Sequence, residues 1–148
     1  MTQWHKVRFE VVGTIVGKGR PRFTTRNGFS RAYTPKKTKD YEELIQQCFY
    51  RTGAKKSEKA LRIKIYAYKG IPKSSTKKLF KALLDKTYLC TVKPDIDNIS
   101  KVVLDALNHV AYEDDTQVCE LAIIKRFTGQ EEKLSIIIEE IGECRPKK

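Results

Sequence analysis

One stretch of this sequence gathers acids, an amide and an amine at close spacing: Pro94-Asp95-Ile96-Asp97-Asn98-Ile99-Ser100-Lys101, with Glu113-Asp114-Asp115 further on. Carboxylates of this kind are hard oxygen donors, the ligands that Mg²⁺ takes together with water and substrate phosphate. A hard divalent cation activates water and neutralises phosphate charge, which is what phosphodiester hydrolysis requires. Three carboxylates about 5 Å apart repel one another by roughly 3 kcal/mol per pair at an effective dielectric near 20. A bound cation turns the same charges into ligands. Lys101 follows Asp97 by one helical turn and is placed to hold a phosphate oxygen or stabilise developing charge.

Each residue also has an ordinary reading. An aspartate at a helix start is often a cap, worth about 1 kcal/mol. Asp97 and Lys101 have the spacing of an i,i+4 ion pair, worth about 0.2–0.5 kcal/mol, and Asp114-Asp115 could be a solvated turn. Their conjunction beside a basic body favours chemistry over these readings. Asp105 lies on the same polar face but farther along, between a helix-face residue and a supporting one.

The element that must position them is a helix over 98–110, taken as beginning near Asp97. It puts Ile99, Val102, Val103, Ala106, Leu107 and Val110 on one side, and Asp97, Asn98, Lys101, Asp105 and Asn108 on an opposing arc. Asp95 precedes the first turn, and Pro94 keeps Lys93 extended. Asp95 and Asp97 can then converge on one point, to which the Asp114-Asp115 turn could return.

Around this helix, residues 6–12 alternate and predict a strand, as do residues 60–68. Residues 17–34 predict a Gly-punctuated loop or hairpin turning at Asn27-Gly28. Its Phe23, Phe29 and Tyr33 would anchor it in the core or stack on unpaired bases. Thr34-Pro35 resembles an N-cap followed by proline at the first helical position, with Tyr41, Leu44, Ile45, Cys48 and Phe49 recurring at helical spacing. Ser74 or Ser75 would cap a short basic helix running to about Asp85, with Leu79, Phe80, Leu83 and Leu84 facing its core. The lysines of this segment would meet phosphates or form a solvated face. Strands near 117–127 and 133–141 complete the order. The pattern predicts an α/β or α+β fold, one domain over 1–148 with a mixed sheet and helices packed on it.

Charge is divided unevenly. Residues 1–93 hold 23 Lys and Arg against 6 Asp and Glu, and residues 94–148 hold 7 against 12. A basic body joined to an acidic segment suits a polyanion binder with a metal-dependent site, and nucleic acid is the commonest such polyanion. With 40% apolar and 9% aromatic residues and no low complexity, the composition is that of a globular chain, not a disordered one. No apolar run approaches the roughly 18 residues of a membrane span, and the first residues lack the apolar core of a signal peptide. The expectation is a cytoplasmic protein with no membrane partner. Cys48, Cys90, Cys119 and Cys144 form no C-x-x-C and are expected to be buried small hydrophobes, without disulfide or zinc.

The segment KPDIDNISKVVLDALNHVAYEDDTQ resembles the signature of the RusA family of Holliday junction resolvases: Pro-Asp-x-Asp-Asn-x-x-Lys, a Leu-Asp-Ala-Leu helix, then Asp-Asp-x-Gln. GKGRPRFT and YTPKKTKDYE are similar to the opening of its phage-type branch. The resemblance implies a small α/β homodimer, bacterial or phage-encoded, that cuts four-way DNA junctions with Mg²⁺, for which Mn²⁺ can stand in, in DNA recombination and repair. Carried over by position, the metal-binding and catalytic carboxylates fall on Asp95, Asp97 and Asp115, with Asp114 as an assistant, and the catalytic lysine on Lys101. The DNA contacts fall on Lys18, Gly19, Arg20, Pro21 and Arg22, and around Lys93 with Pro94 and Asn98. One departure is His109, where many relatives have glycine; Asn108 or His109 would then take the helix-ending conformation. The basic first loop also departs from the best-known members, so cleavage-site preference does not transfer. A nuclease for another substrate and a non-catalytic DNA-binding module are the alternatives.

Overall fold

The structure, a computed structural model, describes residues 5–147. Strand β1 (Lys6–Val12) leads into a hairpin of β2 (Arg22–Arg26) and β3 (Phe29–Tyr33). Helix α1 (Lys36–Tyr50), strand β4 (Ala60–Gly70), helices α2 (Lys77–Leu84) and α3 (Ile96–Leu107), and strands β5 (Val118–Thr128) and β6 (Lys133–Gly142) follow. The main sheet has the order β1-β6-β4-β5, and β2-β3 forms a separate ribbon. In the main sheet the β4/β5 pair is parallel; β1/β6 and β6/β4 are antiparallel. The arrangement is α+β with a mixed sheet, as the sequence pattern predicts.

Alternation explains the core. Val7, Phe9 and Val11 lie in register with Ile138, Ile136 and Leu134, and beside them stand Leu61, Ile63 and Ile65 of β4. All are buried, on the face that α1 and α3 cover. From the helices come Tyr41, Ile45 and Phe49, and Ile99, Val102, Val103, Ala106 and Leu107. Burying side chains of this size stabilises by about 1.5–3 kcal/mol each. The Gln46 amide ties α1 to α3 by donating to the Ala106 carbonyl at 2.9 Å.

Several local expectations are corrected. Pro35, not Thr34, sits at the N-cap of α1, and no side chain caps that helix. Thr76, not Ser74 or Ser75, caps α2, its hydroxyl accepting from Leu79 N–H at 3.2 Å. Helix α3 begins two residues earlier than expected and stops at Leu107, where His109 takes a φ of 64°. Leu79, Phe80 and Leu84 are exposed rather than turned into a core; α2 has no buried residue, and Phe80 only lies against Gly129. Of the cysteines only Cys90 is buried; Cys119 and Cys144 are exposed, and all four are free. Among the described residues no helix is long and apolar enough to cross a membrane.

Candidate active site

The acidic residues are set by the start of α3 and the turn before β5. Asp95 is the N-cap of α3, and its Oδ1 accepts from Asn98 N–H at 2.9 Å. That satisfies a donor no helical carbonyl can reach, and it puts negative charge at the positive end of the helix dipole. Asp97 stands in the first turn with its Oδ2 3.3 Å from Lys101 Nζ, both side chains largely exposed. The ordinary readings of Asp95 as a cap and of Asp97 with Lys101 as an ion pair therefore both occur.

The Asp-Asp-x-Gln ending divides its labour. Asp114 caps a short 3₁₀ turn, its carboxylate accepting from the Thr116 hydroxyl at 2.6 Å and from Thr116 N–H at 3.2 Å. These bonds hold its pKa below the usual range. Gln117 Oε1 accepts from the N–H groups of Glu113 and Asp114, while its Nε2 donates to the carbonyls of Ser57 and Lys59. The amide thus clips the turn onto the entry to β4. Asp115 begins the 3₁₀ turn and is exposed.

Tyr112, which no sequence signal marks, lies buried between these parts. Its hydroxyl donates to the Leu104 carbonyl at 2.7 Å. Burial raises its pKa first, and the charges of Asp115, Asp105 and Asp114 raise it further.

The basic segment is held against α3 by glycines. A Cβ on Gly17 would stand 2.9 Å from Pro94 Cβ and 3.0 Å from Asn98 Cβ; one on Gly19 would stand 2.8 Å from Thr38 Oγ1. Lys18 N–H donates to the Asn98 carbonyl at 3.0 Å, and Gly19 N–H to the buried Thr38 hydroxyl at 3.1 Å. Lys18 Nζ reaches Glu42 at 2.6 Å and Asp105 at 3.1 Å. Burial lowers the Lys18 pKa, but the hydrogen bonds to Glu42 and Asp105 outweigh it and leave the amine above its usual value. Of the cations expected at DNA, Lys18 is thus spoken for within the chain. Glu132 anchors the preceding residues, accepting from Ile15 N–H at 2.7 Å, Gly70 N–H at 3.0 Å and Lys69 Nζ at 3.2 Å.

Beyond these anchors opens a groove of about 610 Å³ that gathers Gly19, Arg20, Pro21, Arg22, Lys93 and Pro94. Lys37 and Lys69 also line it, and no acid does. Pro94, joined to Lys93 by a cis peptide bond, leads directly into Asp95, so the basic groove ends where the acidic helix begins.

The carboxylates expected to hold metal are not gathered round one point. Among the described residues, no three Asp, Glu, His or Cys side chains stand close enough to share an ion. The donor chemistry still suits Mg²⁺, which is usually held by one or two carboxylates and completed by water and phosphate oxygens. Asp95 at the N-cap, Asp97 in the first turn and the exposed Asp115 supply oxygen donors only.

The family model for endodeoxyribonuclease RusA matches residues 13–139. The chain is also similar to the uncharacterized protein YqaN of Bacillus subtilis (strain 168), at 36% identity over 142 residues that cover 92% of this chain and 97% of that one. The match takes in the groove, the acidic helix and the Asp-Asp-x-Gln turn together. The chain belongs to the RusA family and is an endodeoxyribonuclease, in a family whose activity is on Holliday junctions.

Proposed function

We propose that this chain, acting as one domain in a homodimer, resolves four-way DNA junctions by paired phosphodiester cleavage dependent on Mg²⁺, in DNA recombination and repair. The observation that carries the reading is the junction at Pro94, where an acid-free groove bearing Arg20, Arg22 and Lys93 meets the acidic first turn of α3. A polyanion drawn into the groove is delivered to carboxylates that could not attract it themselves.

In this reading Asp95, Asp97 and Asp115 would hold the ion once substrate draws them together, with phosphate and water as further oxygen donors. When bound, the metal supplies Lewis-acid neutralisation of phosphate charge and activates water. Lys101 exchanges Asp97 for a phosphate oxygen. That exchange is inexpensive, because an exposed i,i+4 pair contributes only about 0.3–0.5 kcal/mol. Asn98 fixes the loop through its backbone carbonyl, which receives Lys18 N–H. Lys18 itself sets the basic segment on α3, and Arg20, Arg22 and Lys93 take the phosphates. A junction is cut on two strands related by approximate two-fold symmetry, and a C₂ dimer presents two such sites at once.

The test is cleavage of an end-labelled four-way junction and of a matching linear duplex, each with Mg²⁺ or EDTA. Paired symmetrical nicks in the junction alone, lost in EDTA, are the expected result. Tight junction binding without cutting under any divalent metal would overturn it in favour of a binding module.

A further inference from the structure

The β2-β3 ribbon packs into no core. All ten of its strand residues are exposed, Phe23 at 72% and Phe29 at 75%. The expectation that its aromatics anchor the loop is therefore overturned. Asn27 and Gly28 both have positive φ, as a two-residue hairpin turn of matching twist requires. In the observed register Arg22 faces Tyr33, Thr24 faces Arg31 and Arg26 faces Phe29. Directly opposed residues share a face and alternate residues do too. One face therefore carries Arg22, Arg26 and Arg31 with Phe29 and Tyr33, while Phe23 lies on the other.

Four observations define what such a ribbon meets. From Val11 to Lys39 the chain has eight Lys and Arg and no Asp or Glu. Among the described residues, Arg22, Arg26 and Arg31 form no ion pair. A surface hairpin kept soluble by charge alone would carry both signs, whereas this one is complementary only to a polyanion. Apolar rings on both faces suit insertion between two surfaces better than lying flat on one. The ribbon also begins in the groove, since Arg22 lines it.

We infer that the β2-β3 ribbon is a DNA-gripping arm, in which Arg26 and Arg31 extend the phosphate contacts of the groove and Phe23 and Phe29 stack on bases left unpaired at a branch point. The inference rests on the junction-cutting reading for the identity of the DNA. A two-stranded ribbon is marginal in water on its own, and the stacked, charge-neutralised complex supplies the contacts it lacks. A fully paired duplex offers phosphates but no free base face along its length. The arginines therefore serve any DNA, and the phenylalanines serve branched DNA.

The experiment uses the full chain in EDTA, with a fluorescein-labelled four-way junction and the matching duplex titrated over a series of KCl concentrations. R26Q/R31Q should flatten the slope of log K against log salt by about 1.8 on both DNAs, from about 0.9 per phosphate contact. F23A and F29A should weaken junction binding by about tenfold, leaving duplex binding and the slopes unchanged. Circular dichroism should show all variants folded, because the side chains are exposed. An unchanged slope in R26Q/R31Q overturns the phosphate role; equal losses on both DNAs, or none, in the phenylalanine variants overturn the stacking role. Conversion of a dimer to a monomer by F23A or F29A, seen in sedimentation, overturns the inference in favour of a protein contact. Wild-type protein that fails to cut the junction with Mg²⁺, while the arginine effect persists, overturns the junction-cutting reading and leaves the arm as a general DNA grip.

Discussion

Lys18 Nζ lies 3.1 Å from Asp105 Oδ2, bridging the basic first segment to the polar face of α3. The same amine holds Glu42 of α1 at 2.6 Å, so one cation fastens two helices to the segment that forms the groove. Asp105, ambiguous from its position on the helix, is accounted for by this contact. The Lys18 side chain is only 20% exposed and that of Asp105 47%, a setting in which an ion pair contributes more than a fully solvated one. Lys18→Met and Asp105→Asn, made singly and together, should show a coupling of about 0.5–1 kcal/mol in urea unfolding. Lys18→Arg should recover part of the loss. A coupling of zero would mean that the bridge contributes nothing to stability.

Asp97→Asn should abolish cleavage of the junction while preserving binding in EDTA. The substitution removes a charge that repels phosphate, so affinity is expected to stay level or rise. Single-turnover cleavage and anisotropy on the same preparation provide the check, and near-normal cleavage would remove Asp97 from the site.

Gln117→Ala removes one side chain that accepts from two backbone N–H groups and donates to two carbonyls. At about 1 kcal/mol for a net hydrogen bond, with some groups regaining water, a loss of about 2 kcal/mol is expected. Cleavage should fall more than binding, because the turn that carries Asp115 loses its clip while the groove stays intact. Thermal melting and a comparison of binding with cleavage test both parts.

Glu132 gives the fold a pH dependence. Burial pushes its carboxyl up, but Ile15 N–H, Gly70 N–H and Lys69 together hold it below its ordinary value. A carboxyl depressed in the folded state stabilises fully above the ordinary Glu range and loses that contribution as pH falls through its folded value. Glu132→Gln should therefore be less stable than wild type at about pH 7, with the gap closing towards about pH 3. A gap that stays constant across melts over this range would assign the effect to packing instead.

Part of this is legible in the order of residues alone. Residues 6–12 and 60–68 alternate because one face of each strand is buried, and that physical cause writes itself directly into residue order. The apolar stripe of α3 is as plain, and it carries Asp97, Lys101 and Asp105 outward together. Periodicity says which residues share a face, not whether anything faces them; hence Leu79 and Leu84 of α2 look like core and are exposed. Lys18 looks like one more cation in a basic loop, since its partners Glu42 and Asp105 lie far along the chain. Tyr112 has no local signature at all. The groove was half legible: Arg20, Arg22 and Lys93 stand out, whereas Lys37 and Lys69 arrive through folding.

The parallel strand pair β4 and β5 is joined by the 47 residues from Ile71 to Gln117. Every acid of the candidate site lies on that crossover, whereas most of the groove comes from residues before β4. Closing a loop of this length costs about 3 kcal/mol or more in chain entropy, offset only as β5 zips onto β4 and α3 docks. The basic groove and the acids are therefore brought together only by long-range contacts, through closure of this crossover. A change far from any acid, if it loosened the seam between β4 and β5, would therefore misplace the candidate site as surely as a change within it.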